Sequence, residues 1–303
     1  MKPVDMAHGI VPPMLTPFNE DRSIDFDGIA AFTDWMIGKG AHVLFPVCGT
    51  GEMFSLSMDE ACQVAEAYHA AAAGRVPVIA TGTLAKEDPE ACIEGAKIMS
   101  KTGIDSVVVL SPDHLEGADD DAYFEYYKAI NDAVDIPLWV YELPGRPKIG
   151  PSLFGRLAKL DKYVGSKDTT LDLDIVKGKI AAADGQFNVL QAGEHIFWES
   201  LALGCTGACS IGCNVFPSVF VACYDAYQDG DTKRGELAQE WIIKLLQIMK
   251  PHPEVAKLYL GRLSLPVKEY LRKPATPLNT EQQGHLDSLP DMVGQAEEEL
   301  GVV

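Results

Sequence analysis

The 303-residue sequence holds no uninterrupted apolar run near the ~20 residues that a helical membrane span requires. Its first ten residues also lack the apolar core of a signal peptide. A cytoplasmic protein with no membrane partner is expected. Positive charge is scarce: 25 Lys and Arg stand against 44 Asp and Glu, a formal net charge of -19. Such a surface repels phosphate backbones, so no nucleic-acid partner is expected. An anionic small molecule is not excluded, because salt screens the distant field and a few local cations can dominate a pocket.

Metal-site patterns are few as well. The seven histidines (His8, His42, His69, His114, His195, His252 and His285) show none of the clustering that a metal-dependent aldolase needs. Cys205-x3-Cys209-x3-Cys213 is a tempting metal pattern, with small core residues as the alternative. Seven cysteines, an odd number scattered over a long chain, suit reduced thiols rather than a disulfide framework. Neither a metal nor another cofactor is expected. No Ser-His-Asp arrangement is identifiable. After the first candidate strand the chain reads Thr16-Pro17-Phe18-Asn19, where a dinucleotide-binding fold would carry a glycine-rich turn.

What the sequence does contain is an alternation of short and long patterns. Segments 10–15, 43–47, 76–80, 106–110, 138–141, 163–167, 188–192 and 207–210 are short and apolar without polar alternation. Parallel strands buried on both faces read this way. Between them lie amphipathic segments at 27–39, 58–72, 89–101, 120–133, 151–159, 172–183 and 194–203. Ser57 and Glu60 form a capping-box signature, and Asp88-Pro89 sets an acid before a proline at a helix start. Eight such units predict a (β/α)8 TIM barrel, with a doubly wound sheet as the runner-up. Beyond residue 214 the pattern is helical only, at 220–227, 236–249, 254–261, 267–271 and 281–300. The chain therefore divides into a barrel carrying the active site, 1–228, and a C-terminal helical extension, 229–303.

Active sites of such barrels sit at the C-terminal mouth of the strands. Lys167 ends the sixth candidate strand, where apolar surroundings would lower its pKa and favour a nucleophilic amine. A strand-end lysine snorkelling to solvent is the plainer alternative. Tyr141 ends the strand before it, to shuttle protons or simply to pack. Arg146 offers a fork for a carboxylate, or a surface ion pair. In Gly49-Thr50-Gly51-Glu52, two glycines allow close backbone approach and a nest of N–H groups, or only a tight turn.

Taken in order, these residues resemble the dihydrodipicolinate synthase / N-acetylneuraminate lyase family. The similarity runs through Gly9-Ile10-Val11, Leu15-Thr16-Pro17-Phe18, Cys48-Gly49-Thr50-Gly51-Glu52, Tyr141-x-x-Pro144-x-Arg146 and Gly165-x-Lys167-Asp168-Thr169. It continues through Gly193-Glu194, Gly204-x-x-Gly207, Asn214-x-x-Pro217 and Pro266-Val267-Lys268. The resemblance implies that Lys167 forms an imine with pyruvate or a longer 2-oxo acid. It implies that Thr50, with the backbone at Gly49 and Gly51, holds the carboxylate while Tyr141 moves protons. Arg146, Thr169, Gly193, Glu194, Ser210 and Ile211 would contact substrate. It also implies a homotetramer in which the loop bearing His114 packs against a neighbouring site.

Three departures bear on the substrate. Gly49 stands where synthases of the family carry a hydroxyl residue for a proton relay. His114 falls near the tyrosine that a neighbouring subunit lends to that relay, and could carry protons instead. Glu142 replaces the familiar asparagine or serine after the tyrosine, and Pro147 follows Arg146. The run from Gly49 to Leu56 is most similar to the 5-dehydro-4-deoxyglucarate dehydratases of the family. Glu194-His195 lies where sialic acid lyases carry an Asp-Glu pair. The expected function is a Schiff-base-forming lyase, aldolase or dehydratase, acting on a 2-oxo acid of the deoxy sugar acid class. The alternative is a 4-hydroxy-tetrahydrodipicolinate synthase condensing pyruvate with aspartate semialdehyde. A non-catalytic 2-oxo acid binding protein ranks third.

Overall fold

Proline placement decides where the apolar runs become strands, because a proline cannot donate to a ladder. A computed structural model describes residues 8–85, 88–143, 148–249, 253–265, 267–274 and 277–302. Seven strands form one parallel sheet: β1 (Gly9–Ile10), β2 (Ile79–Thr81), β3 (Ser106–Leu110), β4 (Leu138–Tyr141), β5 (Tyr163–Asp168), β6 (Asn188–Gln191) and β7 (Gly207–Ala208). Their order is β1-β7-β6-β5-β4-β3-β2. The expected strand 10–15 stops at Ile10 because Pro12 and Pro13 interrupt it. The expected strand 43–47 is not a strand; it keeps one parallel bridge, Leu44 to Val78. Pro46 removes a donor there, and Val47 turns to a positive φ of 51°. The segment still bonds on both sides. His42 N and Phe45 N donate to the carbonyls of Ile10 and Pro12, and Leu44 N and Ile79 N join it to the start of β2.

Helices follow the strands and cover the sheet. They are α1 (Phe26–Gly38), α2 (Met58–Ala72), α3 (Pro89–Met99), α4 (Asp120–Ala133), α5 (Pro151–Leu157), α6 (Leu173–Ala183), α7 (Phe197–Leu203) and α8 (Pro217–Asp229). The start signals act as the sequence predicts. Ser57 and Glu60 cap each other's backbone at α2, and Asp88 accepts from Glu90 N and Ala91 N at α3. Beyond α8 come α9 (Thr232–Met249), α10 (Pro253–Arg262) and α11 (Thr280–Leu300). The expected helix 267–271 does not form. Its carbonyls are taken from outside: Lys257 Nζ donates to Tyr270 O and Arg22 Nη1 to Leu271 O. All seven strands are buried along their whole length, which places the core on both faces of the sheet. Among the described residues no helix is long and apolar enough to cross a membrane.

Candidate active site

The register of β4 and β5 sets Tyr141 beside Lys167 and Trp139 beside Gly165. Alternate strand residues share a face, so these four side-chain positions form one patch. Gly165 has a steric reason: a Cβ there would lie 2.2 Å from the Trp139 ring. The indole fills the space a larger residue would take and is 1% exposed. Above it, Lys167 Nζ lies 4.4 Å from the Tyr141 ring centroid and 5.7 Å from that of Phe45. The two rings meet edge to face at 6.1 Å. Lys167 is 7% exposed, so it does not snorkel to solvent.

Burial disfavours the Lys167 ammonium, but Cys209, Tyr141 and Cys48 pull the other way, and with them ionised the lysine is held above its ordinary range. The expectation of a lowered pKa therefore fails for that charge state. Burial also acts on the partners. It pushes the Cys48 thiol up to about 12 and raises Cys209 and Tyr141. Near neutrality these three are protonated and carry no charge, so burial favours the free amine, with the Glu194 carboxylate opposing it.

The Gly49-Thr50-Gly51-Glu52 loop is pinned at its glycine and at its acid. Gly51 O accepts from Thr16 Oγ1 at 2.7 Å, and a Cβ on Gly51 would stand 2.7 Å from Met14 O. Glu52 accepts from Lys257 Nζ and from Arg272 N, both at 2.8 Å. Burial lowers Lys257 to about 8, with Glu52 opposing it. Gly49 is exposed, and a Cβ on it would come 3.6 Å from Tyr141 Oη. The position expected to lack a relay hydroxyl thus faces the tyrosine hydroxyl directly. Thr50 is half-buried beside it.

At the ends of β6 and β7, Glu194 is buried and accepts from Gly212 N at 2.8 Å. Burial raises its pKa, against the bonds from Gly212 and Ser210. Gly193 and Ser210 are also buried, Ser210 Oγ lying 3.4 Å from Cys213 Sγ, while Ile211 is half-buried and His195 exposed. Thr169 is bonded into the strand ends. Its hydroxyl donates to Glu142 O at 2.8 Å and accepts from Lys148 Nζ, which ties strand ends together. His114 is exposed, with its ring 5.7 Å from that of Tyr126. Arg146, Pro144 and Pro147 lie outside the described residues.

Sequence reasoning missed a fully buried ion cluster. Lys179 Nζ donates to Glu142 Oε2 and to Asp168 Oδ2, each at 2.7 Å, and all three side chains have 0% exposure. The signal was present: Val176, Lys179 and Ala183 occupy the buried stripe of α6, and a lysine in an apolar stripe demands a buried acid. The thiols of Cys48 and Cys209 are also close enough to act on Lys167, though Cys209 was read as core and Cys48 only as part of the glycine loop. Among the described residues no three His, Cys, Asp or Glu side chains come together as a metal site.

Residues 6–291 match the dihydrodipicolinate synthetase family. The chain is 33% identical over 296 residues to the 4-hydroxy-tetrahydrodipicolinate synthase of Hyphomonas neptunium, covering 95% of this chain and 99% of that protein. It is similar to the YagE protein of E. coli K12, solved in complex with pyruvate, at 26% identity and a TM-score of 0.84, covering 98% of this chain and 99% of that one. The pyruvate-bound dihydrodipicolinate synthase of Acinetobacter baumannii is also 26% identical, with a TM-score of 0.83 and coverage of 98% and 99%. The chain belongs to the dihydrodipicolinate synthetase family, and it is a class I lyase that works through a lysine imine.

Proposed function

We propose that Lys167 is the imine-forming lysine and that Tyr141 passes protons to and from the reacting centre. The observation that carries this is the pairing of Tyr141 with Lys167, with Nζ 4.4 Å from the ring in a buried patch. The free amine of Lys167 attacks the keto carbon of pyruvate or another 2-oxo acid. The carbinolamine then loses its hydroxyl as water, with Tyr141 returning the proton. Thr50 and the backbone at Gly49 and Gly51 would hold the carboxylate, and Glu194 and Ser210 would face the rest of the substrate. Segment 42–47, bonded on both sides, closes the sheet into an eight-membered barrel in this reading. Residues 1–228 carry the site and 229–303 extend it, while a homotetramer sets the His114 loop against a neighbouring site.

Two reactions compete. The name of the Hyphomonas relative favours condensation of pyruvate with aspartate semialdehyde. The bare Gly49 facing Tyr141 Oη favours cleavage or dehydration of a deoxy sugar acid, which was the first expectation from the sequence. The names weigh toward the synthase. Borohydride added with pyruvate is expected to leave a stable adduct on the peptide containing Lys167; an unmodified Lys167 under turnover sinks the mechanism. Parallel assays with pyruvate plus aspartate semialdehyde and with a panel of deoxy sugar acids decide between them.

A further inference from the structure

Tyr141 and Lys167 are each followed by an acid that points to the opposite face of the sheet. Those acids, Glu142 and Asp168, meet Lys179 of α6 behind the site. Every carboxylate oxygen of the pair accepts a hydrogen bond. Glu142 Oε1 takes Ile149 N at 2.6 Å, and Asp168 Oδ1 takes Thr170 N at 2.7 Å. The other two oxygens take Lys179 Nζ. Ile149 and Thr170 belong to the segments that leave β4 and β5 at the mouth. We infer that Glu142, Asp168 and Lys179 are positioning residues, a latch that fixes Tyr141 against Lys167 and holds Ile149 at the end of β4. This rests on the reading of Lys167 and Tyr141 given above.

The latch responds to protons. Two carboxylates face one ammonium in a site with no exposure, with Lys148 a second cation at its edge. Glu142 is faced by Lys179 from α6, Asp168 from β5, Lys148 from its own segment and Tyr127 from α4, while Cys205 faces Asp168. Burial drives Glu142 up to about 7, with Asp168 adding to it and Lys179 opposing. A proton on Glu142 must sit on an oxygen that now faces a donor, either Ile149 N–H or the Lys179 ammonium. One of the two bonds weakens, and Ile149 is loosened from the strand end.

Glu142→Gln tests this, because an amide offers one oxygen and cannot accept on both sides. Hydrogen exchange of the Ile149 amide, corrected for intrinsic rate, is followed at pH about 8 and about 6. In the wild type, protection is expected to fall on the order of tenfold to a hundredfold toward pH about 6, the worth of one hydrogen bond to a charged group. Glu142→Gln is expected to show the low value at both. Pyruvate trapping at Lys167 should slow about tenfold in Glu142→Gln at pH about 8 with half-saturation unchanged, and should converge with the wild type near pH 6. Equal Ile149 protection in both proteins overturns the latch. Equal trapping despite lost protection overturns the positioning role. A wild type that forms no imine yet switches its Ile149 protection retires the imine reading and leaves the latch standing.

Discussion

At the scale of single residues, the site turns on side chains that are small or absent. Gly49 leaves open the space beside Tyr141 Oη, and a Cβ there makes an ordinary 3.6 Å contact. Gly49→Ser should therefore fold normally and bring a hydroxyl within hydrogen-bond reach of the tyrosine. If the missing hydroxyl limits condensation with aspartate semialdehyde, the substitution is expected to raise that rate by about 10²-fold, the lower end of a positioned acid–base group. Steady-state rates check it; an unchanged rate in an already efficient synthase shows that Gly49 costs the enzyme nothing. Strand-end placement singled out Lys167 and Tyr141 in the sequence and the family resemblance singled out Glu194; the register sets the first two side by side. The bond of the Thr169 hydroxyl to Glu142 O was not legible, because a partner 27 positions away leaves no local pattern.

At the scale of elements, α6 and the ends of β4 and β5 are bound by charge rather than by apolar packing alone. Lys179→Met removes the cation and leaves two buried carboxylates facing each other. The expected cost is about 3–5 kcal/mol, as for other broken buried ion pairs, read from denaturant melts. Glu142 gives a pH signature of definite sign. Its folded pKa stands at about 7 against an ordinary 4.5, so the folded state binds the proton more tightly than the unfolded chain. The stability it contributes is full below about 4.5 and is lost as pH rises through about 7. Glu142→Gln removes that loss, so its stability relative to wild type should improve between pH about 5 and about 8. A difference that stays constant over that range refutes the assignment. Local order and global stability thus run in opposite directions with pH: the ionised latch is the tighter one and the costlier one. The acid after the tyrosine, a departure from the family on sequence grounds, acquires its reason from Lys179.

Over the whole molecule, the C-terminal extension is not a passive appendage. Lys257 and Arg272 reach back to Glu52 and thereby hold the Gly49–Gly51 loop at the mouth. Two apolar side chains, Phe54 at 50% and Leu171 at 64% exposure, are exposed on the single chain. If the protein assembles as proposed, sedimentation velocity is expected to show a species several times the 32.8 kDa chain mass; a lone monomer rules the tetramer out. The sequence by itself determined the alternation of strands and helices, the helix caps and the position of Lys167, because these depend on local periodicity and chain order. It misjudged strand lengths at Pro12, Pro13 and Pro46, and read a helix at 267–271 whose carbonyls are claimed by Lys257 and Arg22. Only the tertiary structure decided the Glu142–Lys179–Asp168 cluster, the anchoring of Glu52 and the contact of Gly49 with Tyr141. Each joins groups far apart in sequence, and burying a charge or closing a contact becomes favourable only once folding has brought its partner within reach.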